Sequence, residues 1–500
     1  MVLFVKKMYR MKKLVLGVVA GFFAFSSIAQ QKIEFVEYDL PNGLHVILHQ
    51  EKSTPIVAVS VLYHVGSKNE KPDRTGFAHF FEHLLFEGSH NIERGEYDKH
   101  VEKNGGTLNA NTSMDRTFYF ELLPSNQLEL GLWLESERML HAKVDSVGIE
   151  TQRSVVKEEK RQRIDNQPYA TFFGEMFKRL FPTHPYNWQP IGSMEHLDAA
   201  QEEDYVGFYQ TFYVPSNATL SIAGDIDIEQ TKKWVEKYFG SIPKGQAINL
   251  YRDFLDLSDA DFAKKHGVEK SIFDSKDFFG SKNAKAKAVI ADYAKKSTAV
   301  TQPGKPTEKL STVVQDVVYD NIQLPALFVG YTFPEQTNDD IYALELMNAV
   351  LSGGSSSRIN KEVVERKQLA TFAFSFGYGL EEAGVGIFAA IAAKDVKLDD
   401  IQTEFDTQIE KIQNELISQE EFEKVRNQFE NQSVSSYSTI AGICEGLADA
   451  HVYYGSANYI NVELEKYMKV TREDIQRVAK KYLTKDARVI LHYLPKDETK

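Results

Sequence analysis

Residues Thr75–Ser89 read "TGFAHFFEHLLFEGS", with His79, Glu82 and His83 inside five positions. On an α-helix, positions i and i+4 share a face one turn apart, so His79 and His83 project together. Glu82 immediately precedes His83 and stays close to the same pocket. Phe77, Phe81 and Leu85 form one apolar row, with Phe80 and Leu84 beside it, which gives the helix a face to bury. Two imidazoles and a carboxylate pressed against such a face need compensation. A shared metal ion is one form of it; hydrogen bonding at a surface is the other.

Strand and helix patterns alternate around this stretch. "HVILHQ" and "PIVAVSVLYHVG" read as strands before it, and "GGTLNANTSMDRTFYFELLP" as strands after it, by their β-branched and aromatic alternation. Helical segments follow near 125–141 and 146–165. The region closes with "EEDYVGFYQTFYVPSNATLSIAGDI", a helix running into an aliphatic strand. The same order returns at the far end in "REDIQRVAKKYLTKDARVILHYLP", where Asp204 aligns with Asp474, Phe212 with Tyr482 and Leu220 with Ile490. "LPALFVGYTFP" followed by "DDIYALELMNAVLSGG" likewise echoes the opening strand-then-helix order. Length alone predicts roughly three domains, but two copies of one α+β unit account for the chain better. The expected division is 30–245 for the first half, 246–310 for a charged linker or insertion with some helix, and 311–500 for the second half.

Composition narrows the function. With 58 Lys+Arg against 71 Asp+Glu and a net charge of −13, the chain lacks the basic surface that nucleic acid requires. Its one cysteine, Cys444 in "AGICEGLADA", excludes an internal disulfide and reads as a buried core thiol. The segment "MKKLVLGVVAGFFAFSSIAQQ" from Met11 has a basic start, an apolar run and small residues at Ser27 and Ala29. That is the layout of a secretory signal spanning residues 1–29, cleaved after Ala29. Its apolar run is short for a membrane span. The mature chain is therefore expected to be exported, periplasmic or extracellular, without a stable membrane anchor.

A zinc site needs a third protein ligand and an open position. "TQRSVVKEEKRQRID" offers Glu158 and Glu159, of which only one can face a given pocket, since successive helical residues point about 100° apart.

His79-x-x-Glu82-His83 is the inverted zinc motif. With it, the sequence resembles the pitrilysin, insulinase and mitochondrial processing peptidase family. "TGFAHFFEHLLFEGS" is similar to that family's zinc helix, "GGTLNANTSMDRTFYF" to its following strand and "RSVVKEEKRQR" to its third-ligand helix. The family's third ligand is a glutamate about seventy-five residues past the second histidine; Glu159 lies 159 − 83 = 76 residues on, so the resemblance selects it over Glu158. It implies two homologous halves, each a β-sheet packed with helices, forming a clamshell around a peptide chamber. It further implies one Zn²⁺ per chain on His79, His83 and Glu159, with Glu82 as general base in peptide-bond hydrolysis. An extended substrate would add to the edge strand at Asn109, Ala110, Asn111 and Thr112.

Two positions depart from the family's pattern. A second glutamate, seven residues before the third ligand, is replaced by Gln152, an uncharged side chain that can still hydrogen-bond behind a ligand. In "GGSSSRINKEVVERKQLATFAF", the family's substrate-binding arginine and tyrosine fall on Val364 and Thr371, which cannot replace their hydrogen bonds. Arg358 is nearby but occupies a different place in the pattern. The resemblance therefore implies the metal-bearing chain of a two-chain enzyme, completed by a homologous chain that supplies the arginine and tyrosine, or a homodimer. The rivals are a non-catalytic, peptide-holding subunit on the same fold and a zinc-storage protein.

Overall fold

A computed structural model of the chain describes residues 32–297, 300–307 and 310–496. The expected signal segment, 1–29, lies outside these residues. Phe35–Lys500 forms one compact unit, and both halves lie within it.

The first half is built on a sheet of β1 (Val36–Asp39), β2 (His45–Gln50), β3 (Ile56–Tyr63), β4 (Thr107–Thr112), β5 (Thr117–Pro124) and β6 (Ala218–Gly224), in the spatial order β1-β2-β6-β3-β5-β4. The second sheet comprises β7 (Val314–Asp320), β8 (Ala326–Phe333), β9 (Ala370–Gly379), β10 (Gly384–Ala392) and β11 (Val489–Pro495), in the order β7-β11-β8-β10-β9. Without β1, the two orders coincide. Each sheet also has a single parallel pair, β2 with β6 and β7 with β11, and is otherwise antiparallel. The weak repeat in sequence is thus a repeat of topology.

Four helices of the first half matter for the site: α1 (Phe77–Leu84), α2 (Ser146–Lys160), α3 (Phe172–Leu180) and α4 (Glu202–Phe212). The insertion carries α5 (Ala247–Asp256), α6 (Asp259–His266) and α7 (Ala284–Tyr293); the second half carries α8 (Asp340–Ser352), α9 (Gln419–Ser436), α10 (Ile440–Tyr454) and α11 (Arg472–Tyr482).

The halves exchange helices. Strand β3 is buried along nearly its whole length, the pattern of a strand covered on both faces. Val57, Val59, Val61 and Tyr63 face the first half's own core. Leu62 faces Ala448 of α10 instead, a helix from the second half. The small residues Ala58, Ser60, Ser221 and Ala223 lie on the α10 side, and Cys444 Sγ sits there, 3.0 Å from Ser221 O and 3.2 Å from Ser60 Oγ. The thiol is buried, as expected, and burial pushes its pKa up to about 11. Reciprocally, Met176, Phe177 and Leu180 of α3 pack on Phe328, Val385, Ile387 and Leu491 of the second sheet. Gly330 leaves room for that helix: a Cβ there would lie 2.2 Å from Met176 Sδ. Charge reinforces the exchange, with Lys68 buried 2.6 Å from Glu381 and 3.2 Å from Asp115.

The 246–310 stretch differs from the solvated linker its charge pattern predicts. Its helices enclose an aromatic core of Phe254, Phe262, Phe273 and Phe278. Buried Arg252 fixes α5 to the first half, donating to Met139 O and Tyr213 O at 2.6 Å each and lying over the Tyr209 ring. Scattered phenylalanines among Lys and Asp give a weak linear signal, yet they suffice for a small core once helices gather them. No helix among the described residues is long and apolar enough to cross a membrane.

Candidate metal centre

Helix α1 begins at a glycine for a steric reason. Gly76 has φ 97°, and a Cβ on the facing Gly192 would lie 2.5 Å from Gly76 Cα. The free amides of the first turn, which need outside acceptors, are met by Glu70: its carboxylate accepts from Gly76 N and Ala78 N, both at 2.9 Å. Burial pushes the Glu70 pKa up to about 8, against the pull of these amides. Phe77, Phe80, Phe81 and Leu84 are buried in the first core, and Tyr119 Oη donates to Phe81 O at 2.7 Å. The predicted apolar rows are therefore the packed face, and His79, Glu82 and His83 lie half-buried opposite it.

Helix α2 supplies the acid. Asp145 caps it by accepting from Gly148 N at 2.8 Å, and near its other end Glu159 turns inward while Glu158 turns to solvent. Glu158 is occupied by Arg161 at 3.2 Å and Gln162 at 3.0 Å. Glu159 Oε2 lies 3.1 Å from His83 Nε2 and 3.5 Å from His79 Nε2. One donor atom from each of the three residues falls within 4.8 Å of the other two. The imidazole planes stand at 78° with centroids 4.9 Å apart.

These residues fit a bound zinc ion. Tetrahedral bonds of about 2.1 Å place adjacent donors about 3.4 Å apart, matching the separations from Glu159 to the two histidines. Glu159 Oε2 is buried without a hydrogen-bond partner, while Arg163 holds the other carboxylate oxygen at 3.1 Å. Arg163 lies in a widened π-helical turn, Arg161–Asp165, that continues α2; such turns recur at functional sites. Burial, then the neighbouring His83 and Arg163, push His79 down to about 3, leaving the neutral imidazole that a metal ligand must be. Burial pushes the Glu82 carboxyl up, and the adjacent Thr112 hydroxyl works against that. A cavity of about 710 Å³ opens beside the triad, lined by His79, Glu159, Arg163, Trp188, Met194 and His196 among others.

Strand β4 is the open edge of the first sheet. Leu108, Ala110 and Thr112 turn toward the protein, and Asn109 and Asn111 toward solvent. Ala110 N points to the open edge, where it donates to Asn109 Oδ1 at 2.9 Å; Asn111 Oδ1 accepts from Arg116 at 3.4 Å. The predicted substrate residues thus split between the two faces.

Gln152 departs from its expected place behind a ligand. Its amide donates to Glu87 Oε1 at 2.5 Å, and Glu87 pairs in turn with Arg94 at 3.2 Å. Seven residues along a helix is about 10 Å, so Gln152 instead ties α2 to the turn after α1. In the second half, Val364 packs against the core, Thr371 is exposed at the start of edge strand β9, and Arg358 is held by Glu421 at 2.8 and 2.9 Å. Sequence reasoning missed Glu70 and Arg163. Arg163 stands four residues after Glu159, a spacing that could have drawn attention to it.

Comparison with known proteins gives the family. The description "Insulinase (Peptidase family M16)" matches residues 45–187, and "Peptidase M16 inactive domain" matches residues 200–429. The chain belongs to the M16, or insulinase, peptidase family. It is 29% identical to zinc protease PqqE of Helicobacter pylori over 89% of each chain. A protease crystal structure from the same organism superposes with a TM-score of 0.78 at 26% identity, covering 93% of this chain and all of that one. The periplasmic protease PqqL of Escherichia coli shares the fold, with a TM-score of 0.66 at 16% identity; 92% of this chain matches 47% of that longer chain.

Proposed function

We propose that this protein is an exported zinc-dependent endopeptidase that cuts peptides or unfolded segments, and that it is the metal-bearing chain of a two-chain enzyme. The observation that carries this reading is the orphaned Glu159 Oε2, aimed between two imidazole nitrogens at 3.1 and 3.5 Å. His79, His83 and Glu159 would hold the ion, and Arg163 would keep the Glu159 carboxylate turned toward it. When bound, Zn²⁺ supplies Lewis acidity toward a peptide carbonyl and lowers the pKa of water.

Glu82 does the proton work. Its carboxylate accepts a proton from the attacking water and returns it to the nitrogen of the departing amine. An extended peptide would pair with β4 through main-chain hydrogen bonds, which read no side chains and so suit varied sequences. Pairing at Ala110 N requires the Asn109 side chain to give up that amide.

Three observations support the assembly and the location. Val364 and Thr371 stand where the resemblance expects an arginine and a tyrosine, and Arg358 is already committed to Glu421. A relative titled a periplasmic protease has about twice this chain's matched length, room for a second unit of the same kind. The signal-like N-terminus supports export.

The test is digestion of a peptide library, with products read by mass spectrometry, by wild type and Glu82→Gln, with and without chelator. Expected is chelator-sensitive cleavage by wild type, a loss of about 10²- to 10⁴-fold in Glu82→Gln, and retained zinc. Adding a homologous chain that carries the arginine and tyrosine should raise wild-type activity. Zinc loss in Glu82→Gln would contradict its role as base, full activity of the isolated chain would contradict the two-chain assembly, and absence of cleavage in every arm would favour a peptide-holding subunit.

A further inference from the structure

The cavity of about 710 Å³ beside the triad has no part in the proton transfers argued above, yet His79 and Glu159 form part of its wall. Whatever fills it lies against the place where a cut bond must sit. Cavities of roughly 300–1,000 Å³ are the usual size for binding small groups, so this one has room for a large side chain and part of the chain that carries it.

The wall excludes charge and offers apolar surface. Its carboxylates, lysines and arginine pair with one another: Lys160 lies 2.5 Å from Asp165, Lys178 3.3 Å from Glu175, and Arg163 3.1 Å from Glu159. A charged side chain entering here would leave water without gaining a free counter-charge. Between these pairs lie Ile164, Phe173, Ile191 and Met194, each half-buried rather than shut into a core. Phe173 is held from behind, stacked on Phe177 at 4.5 Å and edge-on to Tyr378 of β9 at 5.8 Å.

Gly174, in the first turn of α3, lies on the same wall. Glycine in a helix is less favourable than alanine, and the fold does not demand it here. The backbone is ordinary helix, and a Cβ would meet one atom, Gln189 Cγ, at a normal contact distance of 3.5 Å. At Gly192 and Gly330, by contrast, a Cβ would come within 2.5 and 2.2 Å of its neighbours. What the missing side chain of Gly174 preserves is the cavity.

We propose that this cavity receives one large uncharged side chain of the substrate, aromatic or branched aliphatic, from a residue flanking the cut bond, and that Gly174 keeps it open. The inference rests on the peptidase reading above and names what that site selects. Main-chain pairing along β4 reads no side chains and leaves the peptide free to shift register. One pocketed side chain sets which bond reaches the triad.

The test uses short serine–glycine peptides that differ at a single position, occupied by phenylalanine, leucine, alanine, lysine or aspartate. Affinity is read by fluorescence anisotropy on zinc-loaded Glu82→Gln, which leaves the peptides intact, and the cut position by mass spectrometry with wild type. Phenylalanine and leucine should bind about 10- to 100-fold tighter than alanine, with no gain for lysine or aspartate. Moving the phenylalanine by one residue should move the cut by one residue. Gly174→Leu, added to either protein, should abolish the phenylalanine advantage while melting temperature and zinc content hold; Gly174→Asp should transfer the advantage to lysine. Gly174→Ala, which favours the helix, repeats the test should both fold poorly, and should lower the phenylalanine advantage below that of its parent. Equal affinities for the five peptides, a full phenylalanine advantage in a folded Gly174 variant, or a cut that stays in place as the phenylalanine moves would overturn the proposal and leave the peptidase reading standing. The expected preference in binding, without cleavage by wild type, would support the pocket and overturn the peptidase reading alone.

Discussion

In the first half, α1 packs between edge strand β4 and helices α2 and α4 and presents His79, Glu82 and His83. In the second half, α8 packs between edge strand β9 and helices α9 and α11 and presents Tyr342 and Glu345. The settings match; the chemistry does not. Glu345 accepts from the Tyr467 hydroxyl, with burial pushing its pKa up to about 7, and the Tyr342 and Tyr459 hydroxyls meet at 2.5 Å. Tyr342 and Glu345 are thus paired within the protein, and what α8 leaves buried without a partner toward β9 is the neutral amide of Asn348, whereas in the first half Glu159 Oε2 and His79 Nδ1 are the buried atoms without partners. Buried polar atoms ordinarily find partners. The copies therefore differ in what converges on the face: a carboxylate and two imidazoles in the first, a set that can hold a cation, and a single amide in the second, which cannot.

The comparison can be broken first through the exchanged helices, which should make the halves one cooperative unit. Phe177→Ala removes a fully buried ring of α3 from the second sheet's core and should cost about 3–5 kcal/mol. Urea unfolding followed by two probes, one in each half, should show both transitions moving together. A shift confined to one half would mean that α3 does not couple them.

Arg163→Ala sharpens the contrast at the site. Glu159 keeps its place on α2 but loses the guanidinium on its far oxygen. Because the Arg163 side chain is 75% exposed, this ion pair is worth at most about 1 kcal/mol, so zinc affinity should fall by about 2- to 5-fold. Competition with a chromophoric chelator measures it, and unchanged affinity would assign Arg163 to the surface alone.

The smallest effect is expected in the second half. Hydrogen bonding from Arg358 holds the Glu421 carboxyl at about 2, below its ordinary 4.5. A carboxylate whose folded pKa is depressed contributes stability that is present above the unfolded value and lost as pH falls through the folded one. The window is therefore about pH 4.5 down to 2, and with the pair partly exposed the effect is on the order of 1 kcal/mol. Arg358→Met should flatten that part of the acid-unfolding curve and leave neutral-pH zinc content unchanged. An identical acid limb would remove the pair from the account.

Much of the site was legible because local periodicity carries it. The i, i+4 histidines and the phenylalanine rows of α1 follow from helical spacing alone, and the alternation across "GGTLNANTSMDRTFYFELLP" marks strands, while the edge position of β4 came from family resemblance. The choice of Glu159 over Glu158 came from family resemblance, because adjacent glutamates on one helix are equivalent until the helix has a neighbour. The exchange of α3 and α10 was not legible: amphipathicity says that a face is buried, never against which sheet. Glu70 and Gln152 were missed or misplaced for the same reason, since their partners are set by how the turns around α1 fold back. The insertion's core escaped because its phenylalanines lie in separate helices and loops among charges.

The most direct test of the central claim is the zinc content and chelator-sensitive cleavage of Glu159→Ala beside wild type. The account predicts one zinc and cleavage in wild type, and neither once Glu159 is removed from a protein that remains folded. A folded Glu159→Ala variant that kept its zinc, or that cut peptides as fast as its parent, would contradict the account.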